Sequence, residues 1–283
     1  MTTTETITLN PSKKIYFASD FHLGVPDGRG EACLPPMREK RIVQWLDEIS
    51  KDAQTVFLLG DVFDFWFEYK HVVPKGHVRL LGKLAEMADN GIDLRLFVGN
   101  HDLWTFGYLE NEIGMKIYRQ PQLFKINETL CLIGHGDGLG SGNNDYKFIK
   151  KVFEYKLNQR LFAFLHPWIG VSLANFFSKR SRVKTGEKDL FFETKEKESL
   201  YIFSKAYLEK NPNVKYFIFG HRHLPLEIKL TETSTYFNTG DWLKNDSYLE
   251  MCCQSERSEG PINAQILRFA QNDNKHQKDN PQK

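Results

Sequence analysis

No run of about 18 consecutive apolar residues occurs in the chain, so no segment reads as a bilayer-spanning helix. The first residues, Met1 to Glu5, have neither the basic start nor the apolar stretch of a secretion signal, and a cytoplasmic protein is expected. Cysteine is scarce. Cys33, Cys131, Cys252 and Cys253 form neither a zinc-type spacing nor a disulfide framework, which suits a reducing compartment. A net charge of either sign is nearly absent, since 38 Lys and Arg face 36 Asp and Glu. That sum excludes no partner, because the distribution of charge decides. A dinucleotide loop is missing too: the glycine run at 136–142 (GDGLGSG) lacks the GxGxxG spacing into a helix. Neither Cys33 nor Cys131 belongs to a motif that supplies it with a basic partner, so no nucleophilic cysteine motif is read.

What is present is ordinary globular material, 41% hydrophobic over 283 residues, enough for one sizeable core. Six short runs rich in β-branched and aromatic residues read as strands: 14–20, 55–61, 93–100, 130–135, 216–221 and 235–241. They do not alternate with polar residues, so burial on both faces is expected. Between them, 37–52 places Ile42, Trp45, Leu46 and Ile49 on one helical face. The segment 77–90 does the same with Leu80, Leu81, Leu84 and Met87, and Gly91 follows as a stop. Strands alternating with helices imply an α/β sandwich, whose function gathers at the C-terminal strand ends.

The segment 144–211 breaks this rhythm and reads as a helical insertion. Its first part is basic, with Lys147, Lys150, Lys151, Lys156 and Arg160 among the cations, and it holds the apolar run 161–177 (LFAFLHPWIGVSLANFF). Apolar and cationic surface side by side suits an anionic amphiphile or an anionic membrane face; a helical pair packed on the sheet is the plainer alternative. From 251 the composition turns polar, and 251–283 reads as a disordered tail with Cys252 and Cys253 exposed, leaving 1–250 as the folded domain.

Polar residues cluster at the strand ends: Asp20 and His22; Asp61 and Asp64; Asn100, His101 and Asp102; His135 and Asp137; His221 and His223. Taken singly, an aspartate there is commonly a cap and a histidine commonly a satisfied side chain. Taken together, five successive strand ends each supply a group able to bind a metal, most of them behind a glycine that lets backbones approach. In extended backbone, the i, i+2 spacing of Asp20/His22 and His221/His223 would put both side chains on one side. Carboxylate, imidazole and amide oxygen form a mixed N/O set suited to Mn²⁺, Fe or Zn²⁺.

In order and spacing, DFHLG (20–24), GDVFD (60–64), GNHD (99–102), GHGD (134–137) and GHRH (220–223) resemble the five blocks of the calcineurin-like metallophosphoesterases. That resemblance, over about residues 13–243, implies a four-layer α/β/β/α sandwich with a helical lid insertion and two divalent cations, expected to be Mn²⁺. It implies that Asp20, His22 and His223 hold one cation, that Asn100, His135 and His221 hold the other, and that Asp61 bridges them. It places His101 beside the phosphate with Asp64 orienting it. The chemistry implied is hydrolysis by a metal-activated water, without a covalent phospho-enzyme.

Chain length, the segment YKHVVPKGHVR (69–79) and the helical insertion are similar to the UDP-2,3-diacylglucosamine diphosphatases of lipid A biosynthesis. Those enzymes release UMP and a diacylglucosamine 1-phosphate, which implies a nucleotide-linked acylated sugar as substrate and peripheral contact with the inner membrane face. One departure is His101, where better-known members of that family have arginine. Asp145, Arg180, Arg182 and Lys184 are the candidate substrate contacts in the insertion. A phosphodiesterase for another nucleotide or phosphoester is the alternative. A nuclease is disfavoured because the cations gather in one insertion beside an apolar run, not along a broad groove, and no nucleic-acid partner is expected. A scaffold that has lost its metals is disfavoured by the retention of all seven ligand positions.

Overall fold

Side chains of the first long strand, Lys14–Ala18, divide between two cores: Ile15 and Phe17 enter one, Tyr16 and Ala18 the other. The period of two in an extended chain makes that division, and it explains a strand without polar alternation. The structure is a computed structural model and describes residues 4–25, 36–140, 144–173, 194–253 and 262–269.

Two six-stranded sheets are built from β1 (Glu5–Ile7), β2 (Lys14–Ala18), β3 (Ala53–Leu58), β4 (Asp93–Phe97), β5 (Lys116–Tyr118), β6 (Gln122–Ile126), β7 (Thr129–Ile133), β8 (Val214–Phe219), β9 (Pro225–Lys229), β10 (Thr235–Thr239), β11 (Ser247–Cys253) and β12 (Ile262–Arg268). One sheet runs β1-β6-β7-β8-β10-β9, the other β12-β11-β2-β3-β4-β5. Within the first, β7, β8 and β10 are parallel; within the second, β2, β3, β4 and β5 are parallel. Parallel neighbours end at the same edge, so the turns that follow are gathered there.

The helices are α1 (Pro36–Ile49), α2 (Val78–Asp89), α3 (Tyr108–Asn111), α4 (Asn144–Glu154), α5 (Lys156–Ala163), α6 (helical residues 167–173) and α7 (Ser199–Lys210). Between the sheets lie Phe17, Phe57 and Phe97 from one side and Phe124, Ile133, Ile218 and Phe237 from the other. Helices α1 and α2 cover the outer face of the second sheet through Ile42, Trp45, Leu80 and Leu84. Helix α7 covers the first through Leu200 and Leu208. The layers are therefore α/β/β/α. Gly91 ends α2 in the left-handed region, its N–H donating to Ala88 O at 2.9 Å.

Two sequence expectations are corrected. Residues 251–283 are not wholly a tail: Met251–Cys253 finish β11, and β12 pairs antiparallel with it from Ser247↔Arg268 to Cys253↔Ile262. The alternation of INAQILR is short and follows a polar stretch, so composition alone hid a strand whose Ile262 is fully buried between the sheets. Cys252 and Cys253 are accordingly half-buried. Within 144–211, α7 packs as the fourth layer of the sandwich, which leaves α4, α5 and α6 to project as the insertion.

Candidate metal centre

Each long parallel strand ends two or three residues before its polar residue. The chain leaves the sheet by kinks, not by extension: Asp20, His22, Asp61, His221 and His223 all have positive φ, between 43° and 69°. Extended backbone at the i, i+2 pairs is thus overturned, though both pairs do converge. Left-handed backbone costs an ordinary residue roughly 1–2 kcal/mol, and such strain persists only where the surroundings over-determine it. Here they do. Arg38, buried in α1, donates from Nη1 to the carbonyls of Phe21 (3.1 Å) and His22 (2.8 Å). The backbone N–H of His22 donates to Asp61 O, and that of His221 to Asp20 Oδ2, both at 2.9 Å. Glycine is needed at 60, where a Cβ would lie 2.7 Å from both Gly99 N and His135 Nδ1.

The seven residues expected as ligands meet in one largely buried cluster, with Asn100, His221 and His223 at its partly exposed rim. Nε2 of His223 lies 3.4 Å from Asp20 Oδ1, and Nε2 of His22 lies 3.7 Å from the same oxygen. Oδ2 of Asp61 stands between the two halves, 3.7 Å from His22 Nε2 and 3.5 Å from His135 Nε2. His135 Nε2 is 3.3 Å from Asn100 Oδ1, and its ring meets that of His221 edge-on at 5.0 Å. Asp61, His135 and His221 form one group of convergent ligand atoms; Asp20, His22 and His223 form another. His101 borders the cluster: its Nδ1 donates to the Asp64 carbonyl at 2.9 Å, with the Asp64 carboxylate 3.5 Å away. Of the insertion candidates, Arg180, Arg182, Lys184 and the side chain of Asp145 lie outside the described residues.

Whether these residues suit cations is tested by their unsatisfied atoms. Among the described residues, Asp20 Oδ1, both ring nitrogens of His22 and Nδ1 of His221 are buried without a hydrogen bond. Such atoms cost about 1–3 kcal/mol apiece, and here they sit in one cluster of N and O donors. The set fits two divalent cations. The surrounding charges point the same way. Burial opposes ionisation of Asp20, yet His223 and His22 hold it at about 2. Asp61 is held well below the carboxylate range against burial, by His135 and His101. Burial opposes charging of His22 and His135, but their carboxylate neighbours raise each to about 10. Burial and then the neighbouring His135 depress His221 to about 4.

Tautomers are set from behind. His135 Nδ1 donates to Leu59 O at 2.6 Å, which leaves Nε2 facing Asp61. Asp102, given no role by sequence reading, accepts from Gly99 N (2.7 Å) and Val62 N (2.8 Å) and so ties two ligand loops together. Burial and the charge of Asp61 raise it to about 6. Ser19 and Asn238 were also missed. Ser19 Oγ donates to Asp20 Oδ2 and Asn238 Nδ2 to Gly220 O, each in a short bond. Both stand one or two residues from a glycine or ligand, the only sequence signal available for them.

The insertion attaches to this centre at both ends. Lys150 of α4 places Nζ 2.7 Å from Asp137 Oδ2. Arg222 pairs with Glu198, just before α7. Rings of Phe65, Phe67 and Trp104, from the turns carrying Asp64 and His101, pack on Phe162 of α5, and Trp104 meets Phe153 of α4.

Residues 13–225 match the family described as calcineurin-like phosphoesterase. The UDP-2,3-diacylglucosamine hydrolase of Porphyromonas gingivalis is 36% identical over 248 residues, covering 83% of this chain and 92% of its own. The protein of the same name from Proteus mirabilis is 26% identical over 74% of this chain and 81% of its own. That from Haemophilus influenzae is 26% identical over 82% and 92%. The chain belongs to the calcineurin-like phosphoesterases, within the family of the UDP-2,3-diacylglucosamine hydrolases.

Proposed function

We propose that this chain hydrolyses the pyrophosphate of UDP-2,3-diacylglucosamine, adding water at the α-phosphorus and breaking its bond to the bridging oxygen, to give UMP and 2,3-diacylglucosamine 1-phosphate for lipid A biosynthesis. One observation carries the reading: the turn that brings Asp64 to the ligand cluster continues into Phe65 and Phe67, which pack against the apolar insertion. A charged diphosphate and an acylated sugar thus have adjoining surfaces of matching chemistry.

Two Mn²⁺ ions, one with Asp20, His22 and His223, the other with Asn100, His135 and His221, and Asp61 common to both, would neutralise phosphoryl charge and activate water. The remaining steps belong to the chain. His101 anchors Nδ1 on the Asp64 carbonyl, which leaves Nε2 for the departing oxygen. Burial lowers the His101 pKa, so its protonated form gives up a proton readily. The packed rings of Phe65, Phe67, Trp104 and Phe162 offer an apolar surface for the acyl side.

The exposed apolar residues Phe164 and Trp168, with Lys151, Lys156 and Arg160 nearby in sequence, support docking of the insertion on an anionic membrane surface at the cytoplasmic face. Among the described residues no helix is long and apolar enough to cross a membrane. Flotation with anionic liposomes tests the contact; equal partitioning of the wild type and a Phe164→Ser, Trp168→Ser variant would remove it.

The main reading is tested by UMP release from UDP-2,3-diacylglucosamine with added Mn²⁺, beside bis-p-nitrophenyl phosphate and with Asp61→Ala as control. Rapid UMP release that depends on Asp61 supports the reading. Cleavage of the small diester alone would remove the lipid substrate and keep the metal centre.

A further inference from the structure

A carboxylate outside the ligand set stands directly behind one of its histidines. Asp241 follows Gly240 at the end of β10, and Gly240 has φ +77°, with Pro225 N only 3.0 Å from where a Cβ would be. That turn delivers Asp241, 2% exposed, to the rear of the cluster. The next residue is fixed firmly: Trp242 N donates to Asp20 O at 3.2 Å, and its buried ring packs on Phe21 and Trp45. One carboxylate oxygen of Asp241 is fully engaged. Oδ1 accepts from Lys244 N (3.1 Å), Asn245 N (3.0 Å) and Asn245 Nδ2 (3.0 Å). Held by three donors, the group is kept from rotating, and Oδ2 is left facing His223 Nδ1 at 3.5 Å. The amide of Asn245 also donates to the His223 carbonyl at 3.0 Å, which braces the left-handed backbone there. The opposite ring nitrogen, Nε2, points at Asp20 Oδ1.

We propose that Asp241 is a positioning residue for the cation assigned to Asp20, His22 and His223. Oδ2 accepts from His223 Nδ1–H, selects the tautomer whose Nε2 lone pair faces the cluster, and sets the plane of the ring. A carboxylate behind a ligating imidazole does both in general, and its loss weakens metal binding by about 10- to 100-fold. His135 has a backbone carbonyl in the same place, so the two halves of the centre are oriented by different means. This inference rests on the two-metal reading of the site.

The test is equilibrium dialysis of metal-stripped, full-length protein against Mn²⁺, comparing wild type with Asp241→Asn. The amide variant keeps an oxygen for the three Oδ1 donors but offers His223 an N–H in place of an acceptor. A wild-type melting transition is therefore expected, with one of two Mn²⁺ equivalents weakened at least tenfold and the other unchanged. Asp241→Ser, which also removes the Oδ2 acceptor, is scored in the same way if the amide variant does not fold. Two equivalents at wild-type affinity would overturn the proposal, as would equal weakening of both. Failure of the unaltered chain to bind Mn²⁺ would instead bring down the two-metal reading, an outcome visible without any variant.

Discussion

Arg222, between the two histidines of the last ligand block, donates from Nε to Glu198 Oε2 at 2.9 Å, and Glu198 precedes the helix that returns the insertion to the sandwich. The carboxylate is buried, so removing the guanidinium strands a charge where water cannot reach it. Arg222→Ala is expected to cost roughly 2–3 kcal/mol, read as a lowered urea midpoint. Glu198→Gln should cost less, since its amide oxygen still accepts from Arg222. An unchanged midpoint for Arg222→Ala would show that Glu198 is satisfied by other means.

Cation uptake should release protons. His22 and His135, both raised to about 10, hold protons at neutral pH in the metal-free protein, and a cation must displace them. Their charged forms favour folding below the unfolded histidine value, and that contribution fades as pH rises through about 10. Asp20, depressed to about 2, favours folding above the unfolded carboxylate value and loses its effect as pH falls toward 2. Metal affinity should therefore climb from neutral pH toward 10. Titration calorimetry at pH 7.5 in two buffers of different ionisation enthalpy checks this; identical heats would refute proton release.

His101 supplies proton transfer or charge stabilisation but no metal ligand in this reading. His101→Ala should reduce kcat by about 10²-fold or more while both Mn²⁺ equivalents remain bound. Loss of a cation in that variant would move His101 into the ligand set.

Truncation after Cys253 should destabilise the fold. It removes β12, and with it Ile262 and Ala264 from the core between the sheets and the bond from Tyr216 OH to Ile262 O at 3.1 Å. Burial of one isoleucine alone contributes about 1.5–3 kcal/mol, so the melting temperature should drop by several degrees. A truncated chain that melts like the full one would make β12 dispensable.

The parallel strands β2, β3, β4, β7, β8 and β10 were legible because each is largely buried on both faces and so reads as a continuous apolar run. Strands such as Pro225–Lys229 and Ile262–Arg268 were not legible. Each forms by antiparallel pairing with a neighbour at a sheet edge, where one face is solvated and the composition is mixed.

Which residues gather in the cluster was legible in the sequence alone, because metal-competent residues at successive strand ends, most of them behind a glycine, form a local pattern that also resembles the family's five blocks. The manner of their meeting was decided only in three dimensions. Asp20 and His22 approach one another through left-handed turns held by Arg38, which lies on a helix well along the chain. Asp241 and Asp102 acquire partners 18 and 40 residues away, from loops that sequence order does not bring together. Local composition records what a residue is able to bind; the packing of two sheets decides what it faces.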